Sequence, residues 1–229
     1  MKSLTFETVK VPYGGVLNVY LRHGTGPDYS DALVLKEAFE ENTYGLHEDQ
    51  FKHTGIFVDI GANIGIVSLL AWTMGATKII AYEPEPDNYE LLLRNMEANP
   101  KAPIESHKKA VWSCEASLPL VPRQGGSTSE AGVVADRWKD VTYVPAVTLA
   151  YVLEEFEDID VLKVDTEGAE YEILRDRQVN QKARRIVLEY HTTTEAKFGK
   201  LLATLSLTHN IQVFGHYDTD GGQVLGVRY

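Results

Sequence analysis

At 229 residues and 44% hydrophobic content, the chain is long enough to bury a sizeable core and suits one α/β domain, which excludes global disorder. A formal net charge of −11 opposes a polyanion, so no nucleic-acid partner is expected; the basic cluster Lys182, Arg184 and Arg185 reads as a solvated helix end before a strand. Cys114 is the single cysteine, so an intrachain disulfide is excluded; with no signal peptide read at the N-terminus and no apolar run near the roughly 18–20 residues of a membrane span, a soluble cytoplasmic protein without membrane contact is expected.

Residues 1–51 read as an irregular lid or substrate-side extension, and residues 52–229 as a cofactor-binding core, within one domain. Val9 to Tyr20 suits a hairpin around Gly14-Gly15, and Asp31 to Glu41 a helix with Leu33, Val34, Glu37 and Ala38 sharing turns. From Gly55 the rhythm changes. Ile56 to Ile60 is a short buried strand ending in a glycine turn. Ile64 to Met74 is apolar almost all round, as a helix packed on a sheet should be. Lys78 to Tyr82 is a second strand, followed by a helix with Tyr89, Leu92, Leu93 and Met96 on one face and Asn99-Pro100 as its stop.

Trp112 to Val147 is less regular, and Gln124 to Ser129 reads as a mobile surface loop. Asp160 to Asp165 is a strand, Gly168 to Arg175 a helix and Arg185 to Glu189 a strand. Phe198, Leu201, Leu202 and Leu205 trace another helix face, and Ile211–Phe214 and Val224–Val227 flank a hairpin turn at Asp218 to Gly222. Strands alternating with helices predict a mostly parallel sheet covered on both faces, with the terminal hairpin adding one antiparallel strand.

In such a sheet ligands bind beyond the carboxyl ends of the strands. Four segments end there. In Asp59-Ile60-Gly61-Ala62-Asn63-Ile64-Gly65, the glycines allow a tight turn and close approach of a ligand, and the helix that follows favours an anionic group. Asp59 could hold an ammonium, directly or through water. Glu83 ends the second strand, where a carboxylate accepts the hydroxyls of a ribose; the alternative is a cap for the next turn.

In Lys163-Val164-Asp165-Thr166-Glu167-Gly168-Ala169-Glu170, Asp165 should face the crevice. Glu167 and Glu170 could be helix N-terminal acids, the better reading for Glu170, and Lys163 could snorkel from the sheet. In Leu188-Glu189-Tyr190-His191, alternation puts Glu189 and His191 on one side. His191 is either structural or a general base titrating near neutrality.

These segments, with Tyr82-Glu83-Pro84 and Asn88, and Tyr44 ahead of the first strand, resemble the FkbM family of methyltransferases in order and spacing, over about Phe39 to His191. The Lys-Val-Asp-x-Glu-Gly-Ala-Glu stretch is the diagnostic one. The resemblance implies the class I methyltransferase fold, a Rossmann-like, mostly parallel seven-stranded sheet. It implies transfer from S-adenosylmethionine, usually to a hydroxyl of a saccharide or other small molecule. Asp59, Gly61, Asn63, Gly65, Glu83 and Asn88 would then bind cofactor. Asp165 and Glu167 would lie near the transferred methyl, and His191 completes the catalytic set.

Two other readings stand beside it. An NAD-dependent oxidoreductase would use a similar turn, but its Gly-x-Gly-x-x-Gly fingerprint is replaced by Gly61-x-x-x-Gly65. A non-catalytic module on the same fold would keep the cofactor residues. Asp165, Glu189 and His191 could in principle hold Mg²⁺ or Mn²⁺; no metal is expected, the metal-free version being preferred. The acceptor and the oligomeric state are not specified by the sequence.

Overall fold

Two apolar runs form the middle of the protein. Strand β3 (Ile56–Ile60) pairs in parallel with β4 (Lys78–Tyr82) on one side and β9 (Ile159–Val164) on the other. Every position of β9 is buried, as expected of a central strand covered on both faces. The computed structural model describes residues 4–11, 15–22, 31–120, 141–191, 193–216 and 221–229. The Gly14 turn, the Gln124–Ser129 loop and most of the Asp218–Gly222 turn lie outside the described residues.

The main sheet has seven strands in the order β11-β12-β10-β9-β3-β4-β5, with β5 at Ile104–His107, β10 at Ala183–Tyr190, β11 at His209–His216 and β12 at Gly221–Arg228. Strand β12 pairs antiparallel with both β10 and β11, so it alone runs against the others. The chain first builds outward from β3 to β4 and β5, then returns to add β9 and β10 on the other flank. The reversal lies between β3 and β9, and the carboxyl ends of strands at such a reversal are where ligands bind in open α/β sheets.

Strand alternation sends neighbouring side chains into two cores. Phe57, Ile79, Val161 and Val187 face α2 (Ile66–Thr73) and the N-terminal elements; Val58, Ile80, Leu162 and Leu188 face α4 (Leu149–Val152), α5 (Glu170–Ile173) and α7 (Glu195–Leu205). Helix α2 buries six consecutive residues, Ile66 to Ala71, which accounts for its apolarity all round. None of the described helices is long and apolar enough to cross a membrane.

The N-terminal hairpin, β1 (Leu4–Lys10) and β2 (Val16–Arg22), is longer than the pattern suggests. Leu17, Val19 and Leu21 of β2 are buried in the same core as α2. Two asparagines of α3 (Pro86–Ala98) and its end tie β2 down. Asn95 accepts from the Tyr20 amide at 2.6 Å, and Asn99 exchanges hydrogen bonds with the Asn18 backbone at 3.1 and 2.6 Å.

Two expectations need correction. The stretch around Trp112 to Val147, read as less regular, holds a three-stranded sheet in the order β6 (Ala110–Trp112), β8 (Thr142–Thr148), β7 (Ala116–Leu120). Pro119 and Pro145 interrupt both longer strands and mask their signal. The helix expected from Gly168 to Arg175 is one turn, Glu170–Ile173. Glu167 at φ +54° and Gly168 at φ +106° keep the preceding chain out of helical geometry.

Candidate active site

The β3 turn is shaped by close approach of backbone to backbone. Gly61 sits at φ +79°, and a Cβ there would stand 1.7 Å from the carbonyl oxygen of Asp165. Glycine is therefore needed to let the ends of β3 and β9 meet, before any ligand is considered. Gly65 opens α2 at φ +85°, and a Cβ on it would strike Leu92 at 2.4 Å. Its requirement is helix packing. Asn63 takes φ +52°; its amide donates to Glu83 at 2.8 Å, and its Oδ1 is buried without a partner among the described residues.

Glu83 is 5% exposed at the end of β4. One carboxylate oxygen accepts from the Asn63 amide and the other from the Glu85 amide, each at 2.8 Å. Burial pushes its carboxyl up to about 7, against the help of these amides, the Asn88 side chain and Lys163. Asn88 thus reaches Glu83 with its side chain, while its amide is held by the N-cap carboxylate of Glu85 at 2.7 Å. Of the four lone pairs on the Glu83 carboxylate, these three donors take three and leave one open.

Asp59 has no exposed surface. It accepts from the Ser68 hydroxyl at 2.7 Å and pairs with Lys163 at 3.1 Å. The carboxylate therefore has no face to offer an ammonium directly, which corrects that part of the expectation. Lys163 does not snorkel either. It is 2% exposed, donates to the Gly61 carbonyl at 2.6 Å and lies 3.5 Å from Asp165. Burial works against its charge, but the carboxylates of Asp59 and Asp165 outweigh burial and hold it above the usual lysine range. One buried ammonium thus joins the glycine turn to the end of β9.

Asp165 faces the crevice, where Tyr44 donates to it at 3.2 Å. Tyr44 is 7% exposed, and burial together with Asp165 raises its hydroxyl well above the ordinary tyrosine range. Glu170 is an acid of the first turn of α5, as expected, and it is fully buried. It accepts from the amides of Gly168 at 2.8 Å and His191 at 2.9 Å, and lies 3.3 Å from His191 Nδ1. The other ring nitrogen, Nε2, is 3.3 Å from Glu167. Burial disfavours the imidazolium, yet Glu170, Glu167 and Asp165 prevail and raise His191 to about 9. The two carboxylates on either side thus favour the protonated form of the His191 ring.

Asp165, Glu189 and His191 each offer a ligand atom within 4.8 Å of the others, and all three are partly buried. Lys163 lies 3.5 Å from Asp165 and His191 lies 3.3 Å from Glu167, so the carboxylates here have side-chain partners. The sequence pattern underrated Lys163, Glu170 and Glu189. The sequence signal was present in Lys163: a lysine inside an otherwise apolar central strand has to be paired.

The comparisons with known proteins agree with one another. A family model described as the methyltransferase FkbM domain matches residues 59–214. Methyltransferase sdnD of Sordaria araneosa is 29% identical over 193 residues, covering 69% of this chain and 73% of its own. Methyltransferase 1 of Beauveria bassiana is 29% identical over 165 residues, covering 62% of this chain and 66% of its own. The crystal structure of methyltransferase FkbM from Methylobacillus flagellatus superimposes with a TM-score of 0.52 at 17% identity, over 82% of this chain and 50% of that one. The T. thermophilus 16S rRNA methyltransferase RsmC, in complex with AdoMet and guanosine, gives 0.52 at 13% identity, over 99% of this chain and 51% of that one. The chain thus spans about half the length of these two solved chains, which share its fold.

Proposed function

The chain belongs to the FkbM methyltransferase family, and on that premise we propose that it transfers a methyl group from S-adenosylmethionine to a hydroxyl oxygen of a sugar or small natural product. The observation that carries this reading is the meeting of Asp165, Glu189 and His191 at the ends of β9 and β10, beside the β3 turn. A hydroxyl acceptor must lose a proton during transfer, and this cluster supplies oxygen bases where that proton leaves.

Bound S-adenosylmethionine supplies a methyl group already activated by its sulfonium. The residues present fit it. Asn63 Oδ1, without a partner among the described residues, and the open lone pair of Glu83 are polar groups that a ligand can satisfy. In this reading Glu83 accepts a ribose hydroxyl and Asn88 braces Glu83. The turn from Gly61 through Asn63 to Gly65 presents backbone to the amino-acid end, and Asp59 acts at one remove by holding Lys163. Asp165 and Glu167 border the place of transfer, with His191 fixing Glu167.

Residues 1–51 form the acceptor side in this reading. Tyr44 reaches Asp165, and Glu37 is raised above the usual carboxylate range by burial, with Glu41 and Asp165 adding to it. A small, uncharged or saccharide acceptor suits a rim of carboxylates better than a nucleic acid does. The test is incubation with ¹³C-methyl-labelled S-adenosylmethionine and a panel of pyranosides and small alicyclic alcohols. A labelled methyl ether in the carbon spectrum is the expected product, and label found only on nitrogen or carbon would refute the hydroxyl reading.

A further inference from the structure

Four groups near the transfer position can take a proton, His191, Glu167, Asp165 and Glu189, and the structure separates them. His191 and Glu167 are engaged with each other, and the His191 ring also meets Glu170, at 3.3 Å each. Asp165 already receives Tyr44 at 3.2 Å and faces Lys163 at 3.5 Å. The Glu189 carboxylate takes no hydrogen bond from any described residue, although the side chain is largely buried. It stands on the same face of the sheet as Lys163, one pleat short of His191.

We propose that Glu189 is the catalytic base of this methyl transfer, its carboxylate taking the acceptor's hydroxyl proton beside Asp165 and His191. This rests on the hydroxyl reading above. The acceptor oxygen bonds to the methyl carbon as the carbon–sulfur bond breaks, the bonding pair staying on sulfur. The O–H proton passes to a Glu189 oxygen and from there to water, so that S-adenosylhomocysteine and a methyl ether are released.

The surroundings suit that task. The groups facing Glu189 are Asp165, Lys163 and Glu167 from β9 and its turn, His191 from its own strand end, and Tyr44 from the N-terminal segment. Its neighbour on β12, Gln223, is uncharged. Burial, then Asp165, pushes the Glu189 carboxyl up, while His191 and Lys163 pull it down; the balance lies at about 7. A base is most effective when its proton affinity matches the working pH. Glu189 is thus a carboxylate that receives no hydrogen bond among the described residues, and its surroundings favour its taking a proton.

The experiment compares the parent with Glu189→Gln and Glu189→Asp, using a hydroxyl acceptor that scores in the labelled-methyl panel. Glu189→Gln should keep parental affinity for S-adenosylhomocysteine by calorimetry, yet lose at least about 100-fold in kcat, the usual scale for a general base. The acidic limb of the kcat profile, near pH 7 in the parent, should vanish in Glu189→Gln and survive, displaced, in Glu189→Asp. A glutamate carboxyl carbon titrating near 7 in the ¹³C NMR spectrum should disappear with the substitution. A Glu189→Gln protein with kcat within about threefold of the parent and an intact acidic limb would overturn the assignment while leaving the hydroxyl reading standing. Transfer to nitrogen or carbon alone would overturn both.

Discussion

On the β3–β4 side of the crevice the contacts run through backbone: the amides of Asn63 and Glu85 hold Glu83, and Gly61 lies against the carbonyl of Asp165. On the β9–β10 side they run from side chain to side chain, through Lys163 with Asp59 and Asp165, Tyr44 with Asp165, and His191 with Glu167 and Glu170. The backbone-built side changes little when a neighbouring side chain changes, which suits a cofactor of fixed shape. The charged side depends on each member for the state of the next, which suits acid–base work and allows proton affinities to be set by placement. Substitutions should therefore act on binding on one side and on charge balance on the other.

The largest expected effect crosses between the two sides. Gly61→Val adds a Cβ where the Asp165 carbonyl oxygen stands 1.7 Å away, at φ +79°. Strain of about 1–3 kcal/mol for the backbone angle and about 1–3 kcal/mol more for displaced packing should appear as a lowered urea midpoint. An unchanged midpoint would mean that the two strand ends do not meet as described. The turn is therefore a structural element in its own right, and loss of cofactor affinity in this variant would not by itself locate the cofactor.

Lys163→Met tests the charged side. It leaves the fully buried Asp59 without its cation, at a cost of about 3–5 kcal/mol for a broken buried pair. Adding Asp59→Asn removes the stranded charge, so the double variant should regain much of that stability in chemical denaturation. Failure of the second change to help would show that Lys163 serves Asp165 or the Gly61 carbonyl more than Asp59.

Glu83→Ala tests the backbone-built side. It should weaken S-adenosylhomocysteine binding by about 1–3 kcal/mol, the scale for hydrogen bonds to a charged group, with kcat at saturation little changed. Unaltered affinity in a folded variant would remove Glu83 from the ribose position.

The smallest effect is one of pH. His191 is raised from 6.5 to about 9 in the fold. A raised base gives stability that is complete below the unfolded value and lost as pH rises through the folded one. The stability difference between the parent and His191→Asn should be largest near pH 6 and shrink by pH 10. A difference that stays constant would mean that His191 is neutral in its contact with Glu170 and Glu167.

The sequence makes the same division visible. Glycines, a terminal acid and an all-apolar helix are local signals, and with strand alternation they locate β3, α2, β4 and the crevice. The resemblance to a known family adds the cofactor. The charged side is less legible, because the partner of each residue is distant in the chain. Lys163 meets Asp59 across 104 positions, and Tyr44 meets Asp165 across 121. A residue-by-residue reading places Glu170 at a helix start but does not show its contact with His191, which lies 21 positions on. The β6–β8–β7 sheet is missed for another reason: proline within short strands weakens the only local signal they carry.

The central claim is a cofactor side built for S-adenosylmethionine. Calorimetric titration of the chain with S-adenosylhomocysteine, with NAD in parallel, tests it most directly. The account predicts saturable, one-to-one binding of S-adenosylhomocysteine, weakened by Glu83→Ala and kept by Glu189→Gln, and no heat from NAD. Binding of NAD with none of S-adenosylhomocysteine would contradict it.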